Sequence, residues 1–236
     1  MKIGILQCDD VMAELQPEFG NYPAMFENLL GDIAAQWEFV TYRVLDSELP
    51  DCVDACDGYI TTGSRHGVND DLAWLAELET FVAALVKGKK KFVGICFGHQ
   101  LLAKVLGGRV ELSERGWGVG MSFNQITVKK PWMDPYQASL DLVVSHQEQI
   151  TQLPAEAEVL SNSRFCPYYM LQYGDNLMSV QGHPEFSKAY SSALMDRRTD
   201  RIPAPRGREG QASLQAAVDD HLMAQWIINF FAGHGM

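Results

Sequence analysis

Short apolar runs alternate with amphipathic stretches along the first half of the chain. Residues 3–6 read as a strand. Residues 23–36 read as a helix with Met25, Leu29, Leu30 and Ile33 on one face. Residues 37–45 and 58–61 read as the next two strands. A helix over 70–86 carries Leu72, Leu75, Leu78, Val82 and Leu85 at helical spacing, with Asn69 placed to cap it. Residues 92–95 then read as a buried strand and 98–106 as a helix ended by Gly107-Gly108. Strands alternating with helices predict an α/β fold, in which a parallel central sheet is covered on both faces.

The pattern changes after Arg109. Strand-like stretches at 118–128, 142–145, 157–160, 170–173 and 177–181 follow one another with little helix between them. They predict an antiparallel or mixed extension of the sheet. A last helix over 213–231 repeats Leu214, Val218, Leu222 and Trp226 four apart. No internal repeat, linker or low-complexity tract interrupts the chain, so residues 1–236 read as a single domain.

Composition narrows the functional classes. Hydrophobic residues make up 47% and charged residues 21% of the 236 positions, as in an ordinary globular protein. A net charge of -11 argues against nucleic acid or an anionic membrane as partner. The one dense basic run, Arg197, Arg198, Arg201, Arg206 and Arg208, lies among prolines and glycines and reads as a solvated loop. No apolar run approaches the ~18 residues of a membrane span, and the apolar start is too short for a signal peptide. Five cysteines at irregular spacing predict reduced thiols and a cytoplasmic location. Cys52 and Cys56 lie four apart without a nearby His or second pair, so no metal is expected. Cys8 and Cys166 read likewise as inert thiols.

The chemistry concentrates in two short motifs. In Gly94-Ile95-Cys96-Phe97-Gly98-His99-Gln100 a cysteine follows a buried strand and precedes a helix. Flanking glycines leave room for a sharp turn that exposes the side chain at the carboxyl end of the sheet. The helix start there favours a thiolate, and its N–H groups favour an oxyanion. A cysteine without such flanks would read as an inert core thiol. In Gln181-Gly182-His183-Pro184-Glu185-Phe186, His183 and Glu185 share a face if the backbone is extended, as Pro184 favours. On its own that motif would read as a surface loop. Together the two motifs supply nucleophile, base and orienting carboxylate: Cys96, His183 and Glu185.

These motifs resemble those of the class I glutamine amidotransferase family, whose Cys-His-Glu triad matches the three residues just named. The resemblance implies a three-layer, flavodoxin-like α/β fold, no metal or other cofactor, and hydrolysis of a γ-glutamyl amide through a thioester. L-glutamine would give glutamate and ammonia, the latter passed to a synthetase partner or released. The resemblance also implies an oxyanion hole from the N–H groups of Gly63 and Phe97, and substrate contacts at Gln100, Trp117, Gly118 and Val119. Thr62 stands where the family usually has a glycine. Ser145-His146 matches a recurring pair near the site. The chain is similar both to the amidotransferase half of GMP synthase and to the plant γ-glutamyl peptidases, so hydrolysis of γ-glutamyl peptides is the alternative. A non-catalytic binding subunit on the same fold is the third reading. No phosphate-binding glycine loop or synthetase domain is found in the sequence. His99 is expected to point away from Cys96 as a packing or substrate-support residue, His66 to approach the pocket, and His221 and His234 to lie on the surface.

Overall fold

The computed structural model describes residues 1–233; His234 lies outside them. The parallel half forms as the apolar pattern predicts, except that the helix expected over 23–36 ends at Gly31 and a short unexpected helix precedes it. It comprises β1 (Lys2–Leu6), α1 (Gln16–Phe19), α2 (Tyr22–Gly31), β2 (Glu38–Tyr42), β3 (Gly58–Thr61), α3 (Ala73–Lys87), β4 (Lys91–Ile95) and α4 (Phe97–Val105). Then come β5 (Arg109–Leu112), β6 (Gly118–Ser122), β7 (Gln125–Ile126), β8 (Leu142–His146), β9 (Glu148–Gln152), β10 (Ala157–Asn162), β11 (Met170–Tyr173) and β12 (Leu177–Val180). The helices α5 (Lys188–Asp196), α6 (Ala204–Ser213) and α7 (Asp220–Ala232) complete the order.

An eight-stranded sheet in the order β2-β1-β3-β4-β12-β11-β10-β7 runs through the molecule. Its first five strands are parallel and the last three join antiparallel. Alternation along each strand divides the apolar side chains between two faces. Ile3, Ile5, Ile60, Val93 and Ile95 pack with Phe26 and Leu30 of α2 and Trp226 and Phe230 of α7. Leu6, Tyr59 and Phe92 face the other way, onto Leu75, Leu78 and Val82 of α3 and Leu101 and Leu102 of α4. The result is the three-layer α/β arrangement.

The later half departs from the expected detail. The stretch 118–128 is not one strand but two. Its first part leaves the main sheet and pairs as β6 with β8, while β5 pairs with β9 in a second two-stranded ribbon. Asn69 does not cap α3, which begins at Ala73; its side-chain amide instead donates to the Val110 carbonyl at 2.9 Å. The expected helix over 213–231 is broken after Ser213 and restarts at Asp220. The basic run is not a solvated loop throughout. Pro203 precedes α6, and Arg206 donates to the Trp117 carbonyl at 2.6 Å. α5 went unpredicted, although Ser187 caps it by accepting from the Tyr190 N–H. Tyr190, Leu194 and Met195 of α5 pack with Ile202, Leu214, Trp117 and Val119 in a third apolar cluster beside the β6–β8 ribbon. No helix of the described residues is long and apolar enough to cross a membrane.

Candidate active site

β4 delivers Cys96 to the carboxyl edge of the sheet, and α4 begins on the next residue. Cys96 occupies the cap position with φ +48° and ψ -93°, left-handed backbone that a non-glycine residue rarely adopts. Its amide is held at 2.9 Å by the Val180 carbonyl of β12. The flanking glycines are steric requirements. A Cβ on Gly94 would stand 2.5 Å from the Gly98 carbonyl oxygen. A Cβ on Gly98 would stand 1.7 Å from Thr61 Oγ1, which itself accepts from the Ile95 N–H at 3.2 Å. Gly98→Ala is therefore expected to destabilise the protein by about 2 kcal/mol or more, because strand, turn and helix cannot separate without losing that contact. Urea unfolding of the variant checks this; a change within about 0.5 kcal/mol would show that the elbow yields freely.

His183 enters from the far end of β12. Its amide donates to the Val143 carbonyl at 2.8 Å, so the backbone before Pro184 is tied to β8. The ring stacks on Phe186 with centroids 3.9 Å apart and planes 9° from parallel. Nδ1 lies 2.7 Å from Glu185 Oε1, and both side chains are almost fully buried. Gly63, after β3, leaves space for this ring: a Cβ there would come within 2.7 Å of His183 Cε1. Burial disfavours a charged imidazole, but the Cys96 thiolate and the Glu185 carboxylate outweigh it and raise His183 to about 10. With Nδ1 committed to Glu185, Nε2 is the nitrogen left for the thiol. A ring so oriented by a carboxylate and set beside a thiol can exchange a proton with it.

Cys96 opens on a cleft of about 280 Å³ whose lining includes Phe97, Gln100 and Trp117. Gln100 is nearly buried, and its amide donates to the Glu148 carbonyl (2.8 Å) and to Gln181 Oε1 (3.0 Å). Gln181 in turn donates to Cys96 Sγ at 3.4 Å. Gln100 is thus linked to Cys96 through Gln181, a connection the sequence motifs contain but do not reveal. Gly118 and Val119 line a different groove, of about 440 Å³ beside α6. Of the expected substrate strip only Trp117 faces the cleft.

The other histidines separate by burial. His99 points into the core, its Nδ1 2.8 Å from Ser179 Oγ, and burial lowers it to about 3. His146 lines the cleft with Nδ1 3.0 Å from the Glu148 carbonyl, and burial lowers it to about 4. His66 also lines the cleft, 3.6 Å from Asp70, and His221 is exposed. Below about pH 6.5 an unfolded chain protonates His99 and His146 while the native chain does not. Stability is therefore expected to fall as pH drops from about 6.5 towards 4, by about 1.4 kcal/mol per pH unit for each residue. His183 has the opposite sign: its contribution is intact below about 6.5 and is lost as pH rises towards 10. Urea unfolding at pH 7 and pH 5 tests the acid limb, and equal stabilities would contradict it.

All five cysteines are free, Cys52 exposed and the others buried. Burial pushes Cys166 up to about 12 and Cys8 higher still, as expected of inert thiols. Sequence reasoning missed five charged residues of the cleft: Arg65, Asp70, Glu148, Arg198 and Arg201. Arg198 and Arg201 belong to the basic run that reads as loop, and nothing in their spacing distinguishes a cleft wall from a solvated turn.

Residues 25–197 match the family model "Glutamine amidotransferase class-I". The chain is 32% identical to gamma-glutamyl peptidase 3 of Arabidopsis thaliana, over 91% of this chain and 90% of that one. It is 27% identical to the glutamine-hydrolysing GMP synthase of Aeropyrum pernix, over 79% of this chain but 35% of the relative. A solved glutamine amidotransferase from Methylobacillus flagellatus superposes with a TM-score of 0.78 at 19% identity, covering 100% of this chain and 95% of that structure. The chain belongs to the class I glutamine amidotransferase family.

Proposed function

We propose that this chain hydrolyses γ-glutamyl amide bonds through a thioester on Cys96, with residues 1–236 acting as one catalytic unit. The observation that carries the reading is a cysteine at φ +48° on a helix start, facing a buried His183–Glu185 pair. The thiolate attacks the γ-carbonyl carbon. The N–H groups of Gly63 and Phe97 receive the oxyanion. Imidazolium His183 gives its proton to the departing nitrogen, leaving the acyl group on sulfur. His183 then takes a proton from water, which cleaves the thioester and releases glutamate. Glu185 keeps the ring in its working tautomer and orientation throughout.

γ-Glutamyl peptides are the substrates this reading favours. The similarity to the Arabidopsis peptidase extends over nearly the whole of that protein, whereas the match to GMP synthase takes in about a third of it. Glutamine, with ammonia passed to a synthetase, is the second reading, supported by that same GMP synthase match. The unpaired cysteines support a reducing, cytoplasmic setting. The test is glutamate release by the isolated chain from glutamine and from a γ-glutamyl dipeptide. Faster release from the dipeptide is expected. Release from neither, restored by a co-purifying synthetase, would promote the second reading.

A further inference from the structure

The cleft above Cys96 has two walls of opposite charge. On one, Arg198 and Arg201 follow α5. On the other, Asp70 and Glu148 stand beside the loop after β3. The other basic residues of the cleft are matched: Arg65 meets Asp9 at 2.9 Å, and His66 lies 3.6 Å from Asp70. Arg198 and Arg201 are not, and no carboxylate of the described residues lies within 4.0 Å of either guanidinium. In a chain of net charge -11, neighbouring carboxylates are abundant, so an uncompensated cationic wall is not a consequence of composition.

Both guanidiniums are also held. One N–H of Arg198 donates to Ser145 Oγ at 3.0 Å, which leaves its remaining donors for another acceptor. Arg201 lies over the Trp117 ring, 5.5 Å from its centroid, and the Trp117 carbonyl is itself fixed by Arg206. Their depth differs. Cys96 is 5% exposed at the floor, Arg198 is half-buried and Arg201 is exposed at the mouth.

The order of the reaction assigns these depths. The acyl group stays bonded to the sulfur while the amine departs, so the glutamyl part occupies the floor and the leaving group lies towards the mouth. We propose that Arg198 and Arg201 form a subsite for a carboxylate on the leaving amine, so that the preferred substrates are γ-glutamyl derivatives of amino acids or peptides with a free carboxylate. Asp70 and Glu148 on the facing wall, the latter half-buried against Gly67, disfavour a carboxylate there and leave the arginines as its partners. Water adds across the amide, giving glutamate and the free amino acid or peptide. The inference rests on the γ-glutamyl hydrolase reading.

The test compares kcat/KM for γ-glutamylglycine and γ-glutamylglycinamide, which differ only in the leaving group's carboxylate. We expect the wild type to prefer the acid by about tenfold or more, the preference weakening as salt is raised. Arg198→Gln and Arg201→Gln are each expected to reduce that preference several-fold, with Arg201→Lys retaining part of it. Circular-dichroism melting and the rate of Cys96 alkylation by a neutral reagent establish that each variant is folded. Cleavage of both compounds at equal rates by the wild type leaves the hydrolase standing and overturns the subsite alone. A proportional fall on both compounds assigns the arginines to the glutamyl end and also overturns it. Cleavage of neither compound removes the reaction and the subsite together.

Discussion

Cys96→Ala is expected to lower turnover of a γ-glutamyl substrate by about four orders of magnitude or more, leaving only what binding and oxyanion stabilisation supply. The fold should survive. The Cys96 side chain contributes one small group to the core cluster, and alanine keeps the same backbone donor to Val180. The left-handed backbone is already strained with cysteine and remains so with alanine, so stability changes little on that account. Steady-state kinetics with γ-glutamyl dipeptide and with glutamine make the measurement. Substantial turnover by folded Cys96→Ala would sink the nucleophile assignment. Peptide mapping after treatment with a glutamine-like diazo-ketone adds a positive check, with label expected on Cys96. Exposed Cys52 serves as the control for non-specific alkylation, while Cys8 and Cys166 are protected by burial.

His183→Ala is expected to cost nearly as much, because the thiolate and the imidazolium act as a unit. Two losses combine in that variant: the proton donor to the leaving nitrogen, and the cation paired with the thiolate. Glu185→Gln is expected to cost less, on the order of 10²-fold to 10⁴-fold, since the amide retains a contact to the ring but not the charge that holds its protonated form. The Glu185 carboxylate helps to raise His183, so this variant should also shift the alkaline limb of the kcat profile to lower pH. A Glu185→Gln enzyme with unchanged rate and unchanged limb would mean that Glu185 only fills space. A His183→Ala enzyme within tenfold of wild type would remove the base from the mechanism.

Where a single local pattern decides a structure, the sequence is sufficient to read it. The strands at 3–6, 58–61 and 92–95 are buried on both faces, so unbroken apolar runs mark them, and the glycines around Cys96 mark the turn. The three residues proposed as a triad could be picked out for the same reason, since each motif is contiguous. What escaped depends on contacts between distant segments. Nothing local tells β6 to leave the main sheet for β8, because its departure is set by packing on α5 and α6. α5 has a weakly apolar sequence, with Ser191 and Ser192 at its centre, and owes its place to Tyr190, Leu194 and Met195 in the third cluster. The expected contacts at Gly118 and Val119 fell in the neighbouring groove because β6 runs beneath α6, where Gly120 lies against Gly210 and Ser213.

The attachment of His183 to Val143 has a dynamic corollary. The Cys96 amide is anchored inside the eight-stranded sheet, at Val180, whereas the amide of His183, the proposed base, is anchored to a two-stranded ribbon. Small ribbons open at lower free energy than the centre of a large sheet. Transient detachment of β6 and β8 would release the base and leave the thiol turn in place, a disarmed enzyme that is still mostly folded. Hydrogen exchange should then find the His183 amide less protected than that of Cys96. The fraction of molecules competent at any instant would be set by how firmly the β6–β8 pair docks, and substitutions under that ribbon, such as at Met121 or Ile202, would tune activity without touching the site.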